Sequence, residues 1–276
     1  MVPVLVALRS GNQLTSTAAN VTSGFPMLKT ALRVMTDTVL IRPLRYIRLK
    51  TIVNPVERVS PLLDVMTTMH NNAIKDSVAY AEAHMQDAMA IEDKKGLWDY
   101  VLGVSPREGI YAEFGVWKGE SINYIAKIDH LRQTTIFGFD SFEGLKDDWP
   151  GLGQARGHFS LGGELPKVES NVALIKGLFE QTLPAFLASD ERPFAFVHVD
   201  CDTYGSTRTI LNLIPDRLIP GTVVLFDEYF GYRGWRREEW KAWQDFTKAN
   251  RIEYEYIAFS NAQVAVRVIQ SQRSKM

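Results

Sequence analysis

One cysteine, Cys201, stands in 276 residues. That excludes an intramolecular disulfide and any cysteine-built metal cluster, and a lone thiol suits a reducing, cytoplasmic setting. An excess of either charge is also missing. The 31 basic and 32 acidic side chains leave a net charge of −1, so no global basic field exists to hold a nucleic-acid backbone. Long apolar runs are lacking too. The opening Met1-Val-Pro-Val-Leu-Val-Ala-Leu has no positive residues before it and ends at Arg9-Ser-Gly. It is too short for a span and unlike a usual secretory signal, so stable membrane insertion is not expected. What is present is ordinary for a globular protein: 46% hydrophobic and 23% charged residues, enough to bury a full core.

Residues 1 to about 25 are rich in Thr, Ser, Asn and Gly and read as a tail. Pro26 to Ile52 mixes apolar residues with Arg33, Arg42, Arg45, Arg48 and Lys50. Such a basic amphipathic segment packs on its own domain or on a subunit partner; contact with a membrane surface is the alternative. Residues 60–90 read as helical, with Leu62, Leu63, Val65, Met66 and Met69 at helical spacing. The division is therefore 1–90 as tail and helical extension and 91–276 as the main domain. Apolar surface beyond what one sheet needs predicts a homo-oligomer.

From residue 92 apolar runs alternate with helix-like segments. Strands are expected at Ile110–Gly115, Thr135–Asp140, Asn171–Gly177, Phe194–Asp200, Gly221–Asp227, Glu253–Phe259 and Gln263–Ile269. Nearly all-apolar strands between helices mean an α/β fold, a mostly parallel sheet covered on both faces. Only Ser260-Asn-Ala joins the last two, too short for a parallel crossover, so the last strand runs antiparallel. That layout is the Rossmann-like sheet of class I methyltransferases rather than of a plain dinucleotide domain.

Polar residues fall at the carboxyl ends of these strands, where open α/β sheets bind ligands: Glu113, Gly115, Asp140, Gly177, Asp200 and Asp227. In Glu113-x-Gly115-x-x-x-Gly119 the glycines stand where the backbone must turn and lie close to a ligand. The next helix would aim its amides at a ligand carboxylate. A dinucleotide enzyme carries Gly-x-Gly-x-x-Gly instead, and Glu113 would repel a pyrophosphate. Its charge complements a sulfonium bearing an α-amino group, and Asp140 is placed to hold two ribose hydroxyls. The expected cofactor is S-adenosyl-L-methionine, held by Glu113, Phe114, Gly115, Gly119, Ser121, Asp140, Ser141, Phe142 and Gly177. Against this stands a plainer reading, with Glu113 a surface acid and Asp140 a turn cap.

Asp200 and Asp202 follow the fourth strand, and Asp227 and Glu228 end the fifth. Neighbouring strand ends bring four carboxylates together, so some are protonated or a cation sits among them. All-oxygen ligation suits Mg²⁺ or Ca²⁺. Glu113-Phe-Gly-Val-Trp-Lys-Gly-Glu-Ser-Ile, Phe137-Gly-Phe-Asp-Ser-Phe-Glu-Gly-Leu, His198-Val-Asp-Cys-Asp-Thr-Tyr and Val224-Leu-Phe-Asp-Glu-Tyr together resemble the macrocin O-methyltransferase family over roughly residues 92–269. The resemblance implies methylation of a sugar hydroxyl on a natural-product glycoside, with S-adenosylmethionine and Mg²⁺ or another divalent cation. It implies metal ligation by Asp200, Asp227 and Glu228, and catalysis by Asp202 as general base together with Asp200. The family commonly has Asp-Asp where this chain has Asp227-Glu228.

Several residues carry a second reading. Asp202 can instead cap the helix beginning near Thr203. His198, inside an apolar strand, reads as a packed or hydrogen-bonded core histidine. Cys201, between two acids, has a raised thiol pKa and no nucleophilic role. Trp235, Trp240 and Trp243 pack the last helix, with Trp235 also able to border an acceptor, and Tyr229-Phe-Gly-Tyr-Arg-Gly reads as a pocket wall. The glycine-rich insertion Trp149–Gly163, with His158 and Phe159, reads as a lid, disorder being the competing view. At the level of function the alternatives are an NAD-dependent oxidoreductase and a non-catalytic S-adenosylmethionine-binding or assembly protein.

Overall fold

The computed structural model describes residues 64–271; the basic segment Pro26–Ile52 and the tail before it lie outside the described residues. In chain order the elements are α1 (Val65–His84), β1 (Met89–Ala90), α2 (Lys94–Val104), β2 (Ile110–Phe114), α3 (Glu120–Ala126), β3 (Ile136–Asp140), β4 (Val172–Lys176), α4 (Phe179–Ser189), β5 (Phe194–Val199), α5 (Tyr204–Leu213), β6 (Val223–Phe226), α6 (Glu239–Asn250), β7 (Glu253–Ser260) and β8 (Gln263–Gln270).

All strands belong to one sheet in the order β1-β7-β8-β6-β5-β2-β3-β4. Every pairing is parallel except those of β8, which runs antiparallel to both β6 and β7. Asn261 and Ala262 make the reversal, between the paired Ser260 and Gln263, and Asn261 takes a φ of 42° that asparagine tolerates better than most residues. The sheet thus has the expected antiparallel last strand. It is inserted beside β6, however, and does not form the edge. One edge is β1, a two-residue strand on β7, in a stretch that reads as helical from sequence. Two residues are too few to show a strand period.

β2, β5 and β6 are buried along their whole lengths. Alternate residues feed two cores. Ile110, Ala112 and Phe114 join one, and Tyr111 joins the other with Phe196 and Leu225. Each large side chain so buried contributes about 1.5–3 kcal/mol. Glu113 occupies the Tyr111 face and is paired in register with His198 of β5. Side-chain caps start the helices that cover this face and its opposite: Asp93 accepts from the Gly96 amide at α2, and Thr203 from Ser206 at α5.

From β2 the chain steps outward through β3 to β4, then crosses back to β5 and β6 on the other side. Strand order therefore reverses between β2 and β5. A crevice opens beyond the carboxyl ends of those two strands.

Candidate active site

The loop from Gly115 to Gly119 leaves β2 at this crevice. Gly115 has φ +95°, and a Cβ there would lie 1.7 Å from the carbonyl oxygen of Asp200. Only glycine lets the two strand ends approach so closely. Asp140 ties the loop down from the end of β3. One of its oxygens accepts from the Val116 and Trp117 amides, each at 2.8 Å, and the other from the Phe142 amide at 2.7 Å. A carboxylate has roughly four lone-pair sites, so one stays open toward a ligand. Asp140 is both the turn cap and a wall of the crevice.

The crevice is a cavity of about 470 Å³, a size suited to a cofactor-sized ligand. Of the residues expected to bind cofactor, Gly115, Ser121, Asp140, Ser141 and Gly177 line it. Phe114 and Phe142 are core residues, at 0% and 1% exposure, and Gly119 turns the backbone at the start of α3 with φ +81°. Glu113 is fully buried beneath the wall. One of its oxygens accepts from Ser121 Oγ at 2.9 Å, and the other lies 2.9 Å from His198 Nδ1. Its observed contacts orient Ser121 and His198.

The deep end of the cavity is acidic. Asp200, Asp202, Asp227 and Glu228 all line it, as expected from the two strand ends. Asp227 is 3% exposed; its Oδ2 lies 2.7 Å from Lys94 Nζ and its Oδ1 3.4 Å from His198 Nε2. Burial opposes ionisation of Asp227, but the bond and charge of His198 and the charge of Lys94 outweigh it and hold the carboxyl below the usual range. Burial likewise opposes a charged imidazole on His198, yet its bonds to Asp227 and Glu113 hold the pKa up at about 10. His198 is thus a core histidine, as its strand position suggested, and it links the two acids.

The other carboxyls are pushed the opposite way. Burial and then repulsion from Asp227 raise Asp200 well above its ordinary value, raise Asp202 to about 7, and raise Glu228. Asp202 sits in the left-handed region, φ 66°, which turns its side chain off the strand line. Helix capping falls to Thr203 instead. Cys201 is buried, and burial followed by the charge of Glu239 raises its thiol pKa, which removes it as a nucleophile.

Two groups among the described residues have ligand atoms within 4.8 Å of one another: His198, Asp200 and Asp227, and Asp200, Asp202 and Glu228. The trio read from sequence is shared between them, with Asp200 common to both. Oxygens of Glu228 and of the neighbouring Glu239 are buried without a hydrogen-bond partner. Hard carboxylate donors with unmet capacity fit a divalent cation such as Mg²⁺.

The insertion after β3 is an ordered wall. The Leu145 amide donates to His158 O, Gly157 to Leu145 O, and Leu161 and Gly163 both to Phe142 O. Trp149, Leu152, Gln154 and Phe159 line the cavity, and Phe159 meets Trp117 edge-on at 5.2 Å. His158 meets Phe159 edge-on and stays off the lining. The expected wall at Tyr229–Gly234 is otherwise placed. Tyr229, Phe230 and Tyr232 are buried, with Tyr229 bonded to Tyr256 at 2.8 Å, and none lines the cavity. Trp235 is also buried away from it, under the Arg236 guanidinium. Lys94 and Trp98 of α2 do line it. Sequence reading missed both, because Lys94 follows a helix cap like many solvent-facing lysines.

The mostly parallel sheet, its antiparallel β8 and the crevice at the β2–β5 switch define a Rossmann-like fold of the methyltransferase type. Residues 112–229 match the family model described as "Methyltransferase domain". Over 143 residues the chain is 31% identical to Mycinamicin III 3''-O-methyltransferase of Micromonospora griseorubida, covering 44% of this chain and 55% of that protein. The chain therefore spans about half the length of that curated relative. Among solved structures, the O-methyltransferase NovP is 21% identical with a TM-score of 0.47, covering 64% of this chain and 78% of its own. The calicheamicin methyltransferase CalS11 is 17% identical with a TM-score of 0.47, covering 92% and 99%. No helix among the described residues is long and apolar enough to cross a membrane.

Proposed function

We propose that this protein is an S-adenosylmethionine-dependent O-methyltransferase that methylates a hydroxyl of a sugar or other polyhydroxylated natural product, with help from a divalent cation. One observation carries the reading. A glycine loop pinned by Asp140 and an acid cluster at the ends of β5 and β6 share a single cavity. The first suits a nucleoside-bearing methyl donor, and the second suits an oxygen acceptor that must lose a proton. The relative named for mycinamicin III 3''-O-methylation supports an oxygen acceptor.

S-adenosylmethionine supplies an electrophilic methyl group on a sulfonium. Asp140, Ser141, Ser121 and the Gly115 backbone, which line the cavity, would bind and orient it. A cation held by Asp200, Asp227 and Glu228 would lower the pKa of an acceptor hydroxyl. Asp202 takes that hydroxyl's proton on a carboxylate oxygen; a base poised near pH 7 is matched to the task. Trp149, Leu152 and Phe159 keep water from the reacting atoms. Alignment of this kind is worth effective molarities of ~10⁵–10⁸ M. Apolar residues that α1 leaves exposed, among them Val65, Met66 and Val78, support the further reading that copies of the chain associate.

The test is transfer of labelled methyl from S-adenosylmethionine to a panel of glycosides, with and without EDTA. Transfer that stops in EDTA and returns with Mg²⁺ is expected; undiminished transfer in EDTA removes the metal from the reading. Thermal shifts with S-adenosylhomocysteine and with NAD run beside it. Stabilisation by NAD alone overturns the methyltransferase reading.

A further inference from the structure

Lys94 reaches the acid cluster from outside the matched segment 112–229. It is the first residue of α2, and the Asp93 cap fixes where that helix begins. From there its ammonium reaches Asp227 Oδ2 at 2.7 Å. The side chain keeps 39% of its exposure while Asp227 keeps 5%, so the lysine enters from the open side of the cavity. Its ammonium also lies 5.3 Å from the ring centroid of Trp98, one turn further along α2.

Asp200, Asp202, Asp227 and Glu228 line one cavity, and carboxylates packed this closely favour positive charge beside them. His198 and Lys94 supply it from opposite sides of Asp227. His198 is locked, since its other nitrogen faces Glu113 and the ring has no exposure. Lys94 is not: its side chain keeps 39% of its exposure, and its aliphatic stem lets the ammonium swing off Asp227 into solvent. A lysine ammonium and a divalent cation both compete for the Asp227 carboxylate, and two cations there repel each other.

We propose that Lys94 is a tethered counter-cation that occupies Asp227 while the metal seat is empty, yields that carboxylate when a divalent cation enters, and so sets the affinity of the seat. The inference rests on the metal seat of the proposed function. It assigns Lys94 a positioning role toward Asp227 and no step in the transfer itself. An ordinary surface salt bridge would contribute little and would leave metal binding unchanged.

Mn²⁺ binding to the full-length protein, read by electron paramagnetic resonance of the free ion, tests it without any turnover. Lys94→Met should bind Mn²⁺ about tenfold more tightly or better, because one competing charge is gone. Lys94→Arg keeps the charge and should stay within about threefold of the parent. Melting without metal checks folding: Lys94→Met should melt lower than the parent in EDTA and gain more on adding Mn²⁺. Unchanged or weaker Mn²⁺ binding in folded Lys94→Met overturns the proposal, as does Mn²⁺ binding by neither protein. Binding of S-adenosylhomocysteine by the parent is measured on the same samples. Its loss in the parent would instead sink the methyltransferase reading.

Discussion

His198 Nδ1 of β5 lies 2.9 Å from Glu113 Oε2 of β2, and neither side chain has any exposure to solvent. The pair spans the strands between which the cavity opens. Its other bonds run outward, from Glu113 to Ser121 and from His198 to Asp227. A buried link therefore joins the Ser121 wall of the cavity to the acid cluster.

Breaking that link should be costly. Glu113→Ala leaves a buried imidazolium short of one partner, and about 3–5 kcal/mol of stability should be lost. Urea unfolding followed by circular dichroism measures it; a loss under about 1 kcal/mol would show that the pair does not carry charge.

The same histidine gives the metal-free protein an alkaline weakness. Its pKa is raised in the folded state, to about 10 from an ordinary value near 6.5. The stabilisation is thus fully present below about pH 6.5 and is lost as pH rises through about 10. Melting temperature in EDTA should fall across that window, and His198→Gln should flatten the fall. An unaltered slope in the variant would assign the weakness elsewhere.

Gly115→Ala should fail at the point of closest strand approach. A Cβ would meet the Asp200 carbonyl at 1.7 Å, with φ at +95°, so a loss of about 3 kcal/mol or more is expected. Gly153→Ala is the control. Its φ is +71° but nothing lies within 4 Å of its Cβ, and a cost of only about 1–2 kcal/mol should follow. Equal losses at the two sites would remove the close approach as the cause.

Asp140→Ala frees the Val116 and Trp117 amides and removes a wall of the cavity. Affinity for S-adenosylhomocysteine should drop by roughly ten- to a hundredfold, the worth of one charge-assisted bond. Calorimetric titration decides it. Parent-like affinity would mean that Asp140 serves the loop alone.

Asp202→Asn keeps shape but cannot take a proton. Turnover should fall by about 10²–10⁴, with binding of S-adenosylhomocysteine unchanged. A variant that retains turnover would move the base elsewhere in the cluster.

Much of this was open to a reader of the chain. Each run expected from Ile110 onward became a strand, and β2, β5 and β6 stand out most because a doubly covered strand must be apolar throughout. The short link after Ser260 forced β8 antiparallel, though its insertion between β6 and β7 was hidden, since pairing order depends on which edges meet. Gly115, Asp140, Asp200, Asp202, Asp227 and Glu228 were legible because strand ends mark the binding edge. Tyr229 and Tyr232 misled: aromatic residues after a strand end suit a pocket wall as well as a core.

The sequence by itself determined which layer of the sheet carries chemistry, because hydrophobic pattern sets strand limits and strand limits set what stands at their ends. It could not determine which charges meet. Glu113 looked free to face a ligand until β5 came to lie beside β2 and placed His198 against it. Lys94 looked like any lysine after a helix cap until packing of α2 brought its ammonium to Asp227. Both pairings join residues 85 or more positions apart, and only the closed sheet with its covering helices decides such contacts.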